Sequence, residues 1–408
     1  MAFPTITEKY GSLSATGLAK EATFGTPVAA TTFLPMTGNT MEEDPGWFAP
    51  HLMQNLRDLQ VYNLYGEAHY TGAIDGPLFP ANAMELLVSS IGADNLAGAG
   101  VTGAAGTGST TLSAGVSIGA TSITVASASG FTVGQVIQID VNGTGPTTTA
   151  ECRAITTIVS TTISFSTALV YAHLSSAAVV GVVAPYTHTI QEQNTLSSLT
   201  VEKNIGGYQS LQFAGCKVGK FDLKAPTGNE AVSISANMVG QSVAILTTPT
   251  TVSVLTPDIP FVFAEATLSI FGSLRSEVSN TTVSIDNGLK ETYTYSGQHG
   301  PSFITPVTLH TSGTIDLVFD SLNDSTYGDF TRMANGTTGA YTFTLTHPAS
   351  AGTITISQPQ IVLSKYANDL KMDDVVMSTL TYEASRPLSG ASQYTIQATV
   401  VNSVFLPY

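Results

Sequence analysis

The chain has 408 residues, with 14 Lys and Arg against 29 Asp and Glu and a formal net charge of −15. This length allows two or three domains, and the acidity argues against a protein that holds nucleic acid, whose phosphates are bound by Lys and Arg. Charged residues make up only 11% of the chain, less than half of the usual ~25%, and no apolar run approaches the ~20 residues that span a bilayer. We therefore expect extensive subunit interfaces, which resemble a core cut in half.

The first residues, MAFPTITEKYGS, lack the basic and apolar regions of a signal peptide. We therefore expect a cytosolic product without export. The stretch that follows, GLAKEATFGTPVAATTFLPMTG (17–38), is rich in Thr and indicates an extended arm rather than a helix.

Alternation of apolar and polar residues then dominates the chain, and Gly, Pro, Asn and Asp separate the alternating segments. This pattern is typical of half-buried strands and predicts a mainly antiparallel β protein. The clearest predicted strands are 123–125, 137–141, 163–165, 232–238, 315–319, 341–345 and 394–400.

Two segments have helical spacing instead. PANAMELLVSSIG has Pro80 at its start, apolar residues three and four apart, and Gly92 as a stop, which predicts a helix over 81–91. SLNDSTYGDFTRMANG (321–336) predicts a weaker helix that begins at Ser or Asn and ends at Asn335-Gly336.

The order of strands around these helices repeats, which favours an internal duplication. We predict a first domain over 1–92 and 184–245, a Thr- and Pro-rich linker over 246–260, and a second domain over 261–408. The first domain is interrupted after its helix by a Gly-rich tether and a small β module over 93–183, which we expect to face outward because surface loops accept whole inserted units.

The sequence contains no convincing catalytic, cofactor-binding or metal-binding motif. GAGVTG at Gly98 follows a helix and opens none, the reverse of a dinucleotide-binding turn, and no phosphate-binding loop is present. Adjacent acids are expected to be solvated rather than a catalytic pair. The remaining candidates are isolated cysteines, scattered histidines, acidic pairs and sequons: Cys152, Cys216, His51, His69, His173, His188, His299, His310, His347, Glu42–Asp44, Asp373-Asp374, Asn142 and Asn280.

Three stretches together resemble the major tail tube proteins of long-tailed bacteriophages: the arm at 17–38, residues 199–241 and residues 282–321. The most specific part is CKVGKFDLKAPTG, a strand, turn and strand. The resemblance covers most of 15–90 and 185–403 and implies two tandem tail-tube-type β-sandwich or barrel domains, each with one flanking helix. Residues 110–139 are similar to a small β module that phage structural proteins carry as an addition.

The resemblance implies a virion structural protein, assembled in the host cytoplasm, that forms stacked rings and conducts DNA through the tail into the host. Its implied partners are further copies of itself, the tape measure protein, the tail terminator and tip proteins, and genomic DNA that passes through the lumen without specific binding. No enzyme activity, cofactor or membrane is implied. A trimeric ring with pseudo-six-fold symmetry is favoured over a hexamer, and a neutral to acidic lumen is expected. Another β-rich virion protein, a surface adhesin or carbohydrate-binding protein, and an enzyme remain alternatives.

Overall fold

The structure, a computed structural model, describes residues 11–51, 63–81, 84–94, 102–141, 146–252, 259–319, 327–348, 352–370, 372, 375–390 and 392–405. These residues form a mainly β protein, as the alternation predicts. The first half contains β1 (Ala15–Lys20), β2 (Thr32–Leu34), β3 (Gly38–Asn39), β4 (Glu42–Asp44), β5 (Trp47–Phe48), β6 (Leu64–Tyr65), β7 (His69–Pro77), α1 (Met84–Ile91), β8 (Gly92–Asp94), β9 (Thr102–Thr111), β10 (Ser122–Thr124), β11 (Val136–Val141), β12 (Pro146–Val159), β13 (Thr162–Phe165), β14 (Ala178–Glu192), β15 (Leu199–Ile205), β16 (Gln209–Pro226), β17 (Ser233–Gly240) and β18 (Ser242–Leu246).

The second half contains β19 (Ala266–Ile270), β20 (Ser273–Arg275), β21 (Val278–Asp286), β22 (Leu289–Thr292), β23 (Phe303–Pro306), β24 (His310–Val318), α2 (Asp329–Ala334), β25 (Thr338–Thr346), β26 (Thr353–Asp369), β27 (Met377–Ala384) and β28 (Gln397–Asn402). Short 3-10 turns lie at Gly11–Leu13 and Phe263–Glu265. All the strand pairings described here are antiparallel.

Two long strands, β16 and β26, organise the halves because each belongs to two layers. The first part of β16 pairs with β15 and β18, and its second part pairs with β17, which continues to β7. The first part of β26 pairs with β25 and β28, and its second part pairs with β27, which continues to β24. A single apolar core, which contains Phe221, Ile285 and Ile354, runs through both halves.

The first helix packs into this core. Of the eight residues of α1, only Glu85 is not buried, which suits a MELLVSSI segment that is apolar on nearly every side. The helix contacts β8, β14, β16 and β21, whereas α2 contacts β26. Residues 82–83 of the predicted first helix and 321–326 of the predicted second helix lie outside the described residues, whereas α2 falls within the rest of the second predicted segment.

The stretch between α1 and β14 differs from the expected tether. Residues 92–94 and 102–111 form β8 and β9, both hydrogen-bonded to β14, and only 95–101 fall outside the described residues. The small residues serve close strand packing: a Cβ on Gly103 would lie 2.7 Å from the Cβ of Val182, and one on Gly106 would lie 2.9 Å from the backbone of Gly181. The Gly-rich composition therefore indicates contact between strands, not a free linker.

Strands β10 to β13, with the ends of β9 and β14 nearest them, surround a second apolar cluster that is separate from the main core. Its members are Leu112, Ile123, Val125, Phe131, Ile137, Ile139, Ile155, Ile163, Phe165, Leu169, Ala177 and Val179. A small third cluster of Cys152, Val182 and Tyr186 lies beside it. The division of the chain into domains remains a prediction, which this separate cluster supports.

Candidate assembly interface

The two halves are joined by paired strands, not only by the connector near residue 250. Seven residues of β16, Lys220 to Pro226, pair with seven residues of β21, Asp286 to Asn280. Phe221 and Leu223 face the core on one strand, and Val283 and Ile285 do so on the other. We call this pairing the internal seam. It makes one continuous sheet in the order β7, β17, β16, β21, β24, β27 and β26.

A buried asparagine fixes the seam at one end. The side-chain amide of Asn287 donates hydrogen bonds to the carbonyl of Val218 (3.0 Å) and to that of Ser90 (2.9 Å). It therefore connects β16, the turn after β21 and the end of α1. Asp286 opens this turn, since its Oδ1 accepts the N–H of Gly288 (2.9 Å), whose φ is +49°. A left-handed residue of this kind favours glycine.

Eight strand pairings of the first half have a counterpart in the second half. The long strands, their hairpin partners and the strands next to the helices all correspond, and each half also has a small hairpin before the strand that leads to the helix. The pairs are β1·β15 with β19·β25, β1·β2 with β19·β20, β3/β4·β7 with β21·β24, β5·β6 with β22·β23, β7·β17 with β24·β27, β15·β16 with β25·β26, β16·β17 with β26·β27, and β16·β18 with β26·β28.

Irregularities in the sheet align the two halves residue by residue. A register shift in β16 lies between Val218 and Lys220, and the shift in β26 lies between Leu363 and Lys365. Each shift is followed at once by a lysine. Bulges of this kind locally change the twist and the direction of a strand.

The turn that ends β21 also has a counterpart. Asp44 ends β4, and its Oδ1 accepts the N–H of Gly46 (3.2 Å), whose φ is +54°. Asp44-Pro-Gly thus matches Asp286-Asn-Gly in sequence spacing, hydrogen bond and backbone conformation. In this correspondence, β3 and β4 of the first half are the equivalent of β21.

These correspondences lead to two open strand edges. β21 is paired on both sides, whereas β3 and β4 pair with β7 and, among the described residues, with no other strand. Similarly, the second part of β16 is paired on both sides, whereas in the described part of the chain β26 beyond Val362 pairs only with β27. The open edges are therefore the acidic edge, residues 38–44, and the lysine edge, residues 363–369.

The continuous sheet has one buried face and one polar face. Its apolar residues meet the core and, in the first half, α1. Ser, Thr and acids predominate on the opposite face, where Lys220 contacts Asp222 at 3.0 Å. This polar face includes Asp75, Lys220, Asp222, Lys224, Ser233, Ser235, Asn237, Thr282, Ser284, Asp286, Ser312, Thr314, Asp316, Thr379, Thr381, Glu383 and Lys365.

The hairpin β22–β23 of the second half adds a polar contact beside the seam. His299 stacks on Tyr65 with 4.0 Å between the ring centroids, and its carbonyl accepts the N–H of Ala68 (2.9 Å). The carboxylate of Glu291 accepts the hydroxyl of Tyr293 at 2.6 Å. Burial, followed by this carboxylate, raises the pKa of Tyr293. The same carboxylate contacts the ring of His69 (2.9 Å), so the hairpin ties the second half to β6 and to the first residue of β7.

Charged groups elsewhere hold the fold together rather than form a reaction centre. Arg275 is fully buried and donates to both carboxylate oxygens of Asp329 (3.1 and 2.7 Å), which anchors α2 to β20. In the inserted block, Glu151 contacts Arg153 and accepts from His173 at 2.8 Å. Burial acts to raise the pKa of Glu151, but hydrogen bonds from His173 and two backbone N–H groups, together with the charge of Arg153, outweigh it and leave the pKa below its ordinary value.

The other residues singled out from the sequence do not converge. Cys152 and Cys216 are free and buried, and burial raises the pKa of the Cys152 thiol to about 12. Glu42–Asp44 is exposed on β4, while Asp373-Asp374, Gly98 and Asn142 lie outside the described residues. His188 contacts Asp94 in the interior, and across the described ranges no cluster of His, Cys, Asp and Glu could hold a metal ion. No described helix is long and apolar enough to cross a membrane.

Large antiparallel sheets with open strand edges and one polar face define a β-sandwich protein. A family model described as "Phage tail tube protein" matches residues 11–384, so the chain belongs to the phage tail tube protein family and is a structural component of the bacteriophage tail. This confirms the family suggested by the sequence. A search of curated proteins found no match.

Proposed function

We propose that three copies of this chain close into a ring, and that the rings stack into the tail tube through which the genome passes into the host. The internal seam carries this proposal. It joins two corresponding halves side by side into one sheet, so repeating the same step between chains extends the sheet until it closes. Three chains with two halves each give pseudo-six-fold symmetry.

The two faces of the sheet favour one direction of closure. The apolar face already carries α1 and the second layer of strands, so this bulk belongs on the outside of a closed ring. The polar face then lines the bore. Its acids outnumber its lysines, and the lysine closest to a carboxylate, Lys220, is paired with Asp222. A surface of this kind offers DNA few unpaired cations to bind.

The inserted block is proposed to decorate the outer wall. Its attachment strand β14 continues into a pairing with β28, which belongs to the layer away from the proposed bore. The block also has its own apolar cluster. An outward position leaves the faces above and below the ring free for stacking.

The ends of the stacked tube are the proposed contact sites for the tail terminator and tip proteins. The tape measure protein is proposed to fill the lumen before DNA.

Electron microscopy and native mass spectrometry of the purified protein test this function. We expect rings or tubes, a ring mass of three chains, and the same protein in the tails of virions. A strictly monomeric protein at high concentration that is also absent from tails would contradict the function, and a ring of six chains would contradict the symmetry.

Because the proposed bore offers few free cations, we also expect the free protein to bind no DNA in 50 mM salt. Salt-sensitive DNA binding would refute the assignment of the polar face to the lumen.

A further inference from the structure

We propose that the lysine edge of one chain pairs with the acidic edge of a second copy, antiparallel and in the same register as the internal seam. This inference rests on the proposed ring and specifies its contact. Each edge corresponds to one strand of the internal seam: the lysine edge to the second part of β16, and the acidic edge to β21. The partner that fits both edges is therefore another copy of this chain.

The irregularities described above give the register. Inside the chain, Lys220, the first residue after its bulge, lies opposite Asp286, which opens the turn with the left-handed glycine. The equivalent residues are Lys365 and Asp44. The two chains therefore pair with Lys365 opposite Asp44, and every further pair follows from this one.

The charges of the two edges are complementary in this register. Lys365 is exposed, and so are all three residues of β4, Glu42 to Asp44. Two residues further along each strand, Ala367 lies opposite Glu42, and this pair brings no like charges together. Opposite charges across antiparallel strands stabilise one register and disfavour the shifted ones.

Trp47 provides a second, independent contact. Trp47 begins the hairpin β5–β6 just as Leu289 begins β22–β23, each three residues after the aspartate of the turn. Leu289 packs at the bulge of β16, where its Cδ1 lies 3.4 Å from the position of a Cβ on Gly219. Trp47 is 61% exposed in the single chain. In the assembled pair it covers Ser364, the bulge residue of the second copy.

The free chain partly covers the acidic edge. The ammonium of Lys203 donates to the carbonyl of Met41 (3.0 Å), and the side chain of Asn39 accepts the N–H of Met41 (3.1 Å). Proteins commonly protect open edges with such groups, since unpaired strands aggregate. The first contact between chains therefore falls on Glu42 to Asp44, and the two caps are displaced as pairing extends.

A disulfide test reads the register directly. The double variant Asp44→Cys with Lys365→Cys places the two thiols on directly opposite residues, within reach of a disulfide. Cys152 and Cys216 are buried and do not compete. Mild oxidation is expected to link chains into a ladder that ends at three. The control pair Asp44→Cys with Asn368→Cys is shifted by three residues and is expected to remain unlinked.

Charge variants test the energetics. Lys365→Glu or Asp44→Lys alone is expected to raise the concentration needed for assembly by more than about tenfold, and the double exchange is expected to restore assembly. Lys290→Glu makes the same charge change at an exposed strand residue away from both edges and is expected to assemble normally.

Trp47 is the single tryptophan, so the fluorescence of the unmodified protein should shift to the blue when it assembles.

The outcomes separate this contact from the proposed function. The edge pairing would be overturned if rings form but the opposed cysteines do not cross-link, and if Lys365→Glu and Asp44→Lys each assemble normally. The tail tube function would remain intact in that case. If the unmodified protein forms no ring or tube at all, the function itself fails. Cross-linking of the shifted pair instead of the opposed pair would refute the register.

Discussion

The inserted block provides a demanding prediction, because the structure shows where it can be removed. Thr111 of β9 and Ala178 of β14 lie opposite each other, so residues 112–177 can be excised and the strands joined by a short Gly-Ser linker. The retained strands β9 and β14 keep their pairing with each other, whereas β14 loses its pairing with β11 of the removed block. We expect this shortened chain to fold and to assemble into tubes of normal length with a thinner outer wall.

Two opposing contributions set the expected change in stability. Replacing a connection of 66 residues by about four shortens the loop by about four doublings, which favours folding of the rest by about 2.5 kcal/mol. Against this, Val179, Val182 and Tyr186 of the retained strand β14 lose their apolar contacts with the removed block, and β14 loses its pairing with β11. Exposing each of these side chains costs about 1.5–3 kcal/mol. The unfolding free energy of the remaining protein should therefore fall by about 2–6 kcal/mol.

Thermal unfolding followed by circular dichroism and electron microscopy of the shortened chain measure both parts. The main unfolding transition is expected to remain cooperative and to shift to a lower temperature by several degrees. A chain that folds normally but forms no rings would show that the block belongs to the tube wall. Complete loss of the main transition would show that the second cluster is not independent of the main core.

Further predictions concern the buried polar groups. Asp329→Ala should destabilise the chain by about 1–3 kcal/mol, since the buried guanidinium of Arg275 loses both hydrogen bonds to Asp329 and keeps only Glu277 as an ionic partner; denaturant unfolding measures this. The lowered pKa of Glu151 stabilises the inserted block above the ordinary carboxyl pKa of about 4.3, and this contribution is lost as the pH falls through the folded-state pKa. Unfolding of the block followed from pH 7 to pH 3 checks it. Cys152 and Cys216 should not react with iodoacetamide at pH 8 until the chain unfolds, because burial raises both thiol pKa values.

Each of these measurements has a matched reference. Glu383→Ala removes an exposed acid and should change the unfolding free energy by less than about 0.5 kcal/mol. If Glu383→Ala and Asp329→Ala destabilised the chain equally, the role given to Asp329 would be refuted. In the Glu151→Gln variant, the stability of the inserted block should lose most of its dependence on pH. An unchanged pH profile would show that a group other than Glu151 causes this dependence. Rapid labelling of the folded protein would contradict the buried positions of both thiols.

The sequence predicted the fold class well because alternation is a local signal. Each strand that lies between the core and a polar face shows it directly, as in Val232–Met238, which largely coincides with β17. The first helix was found for a similar reason, since its apolar residues have no strand-like alternation. The Gly-rich stretch before the inserted block was misread, because the same small residues permit a flexible linker and the close packing of β9 on β14.

The internal seam could not be read from the sequence, because strand pairing between distant segments leaves little local trace. The two segments that contain the bulges, KVGKFDLK and VLSKYAND, share the lysine after the bulge and little else. The turns at Asp44 and Asp286 share only their first and last residues. These are weak signals until the register places each lysine and each aspartate at equivalent positions. The order of elements suggested a duplication, but only the pairings align it.

The covalent link between the two halves has a consequence for how a tube grows. In the proposed ring of three chains, half of the six lateral contacts form as each chain folds, because both partners of the internal seam are held together at a high effective concentration. Only three encounters between molecules then remain to complete a ring. The two kinds of contact are also free to diverge, because a substitution at the internal seam alters every second joint and leaves the joints between chains unchanged. Rigidity inside a chain and reversibility between chains can thus evolve separately along one tube.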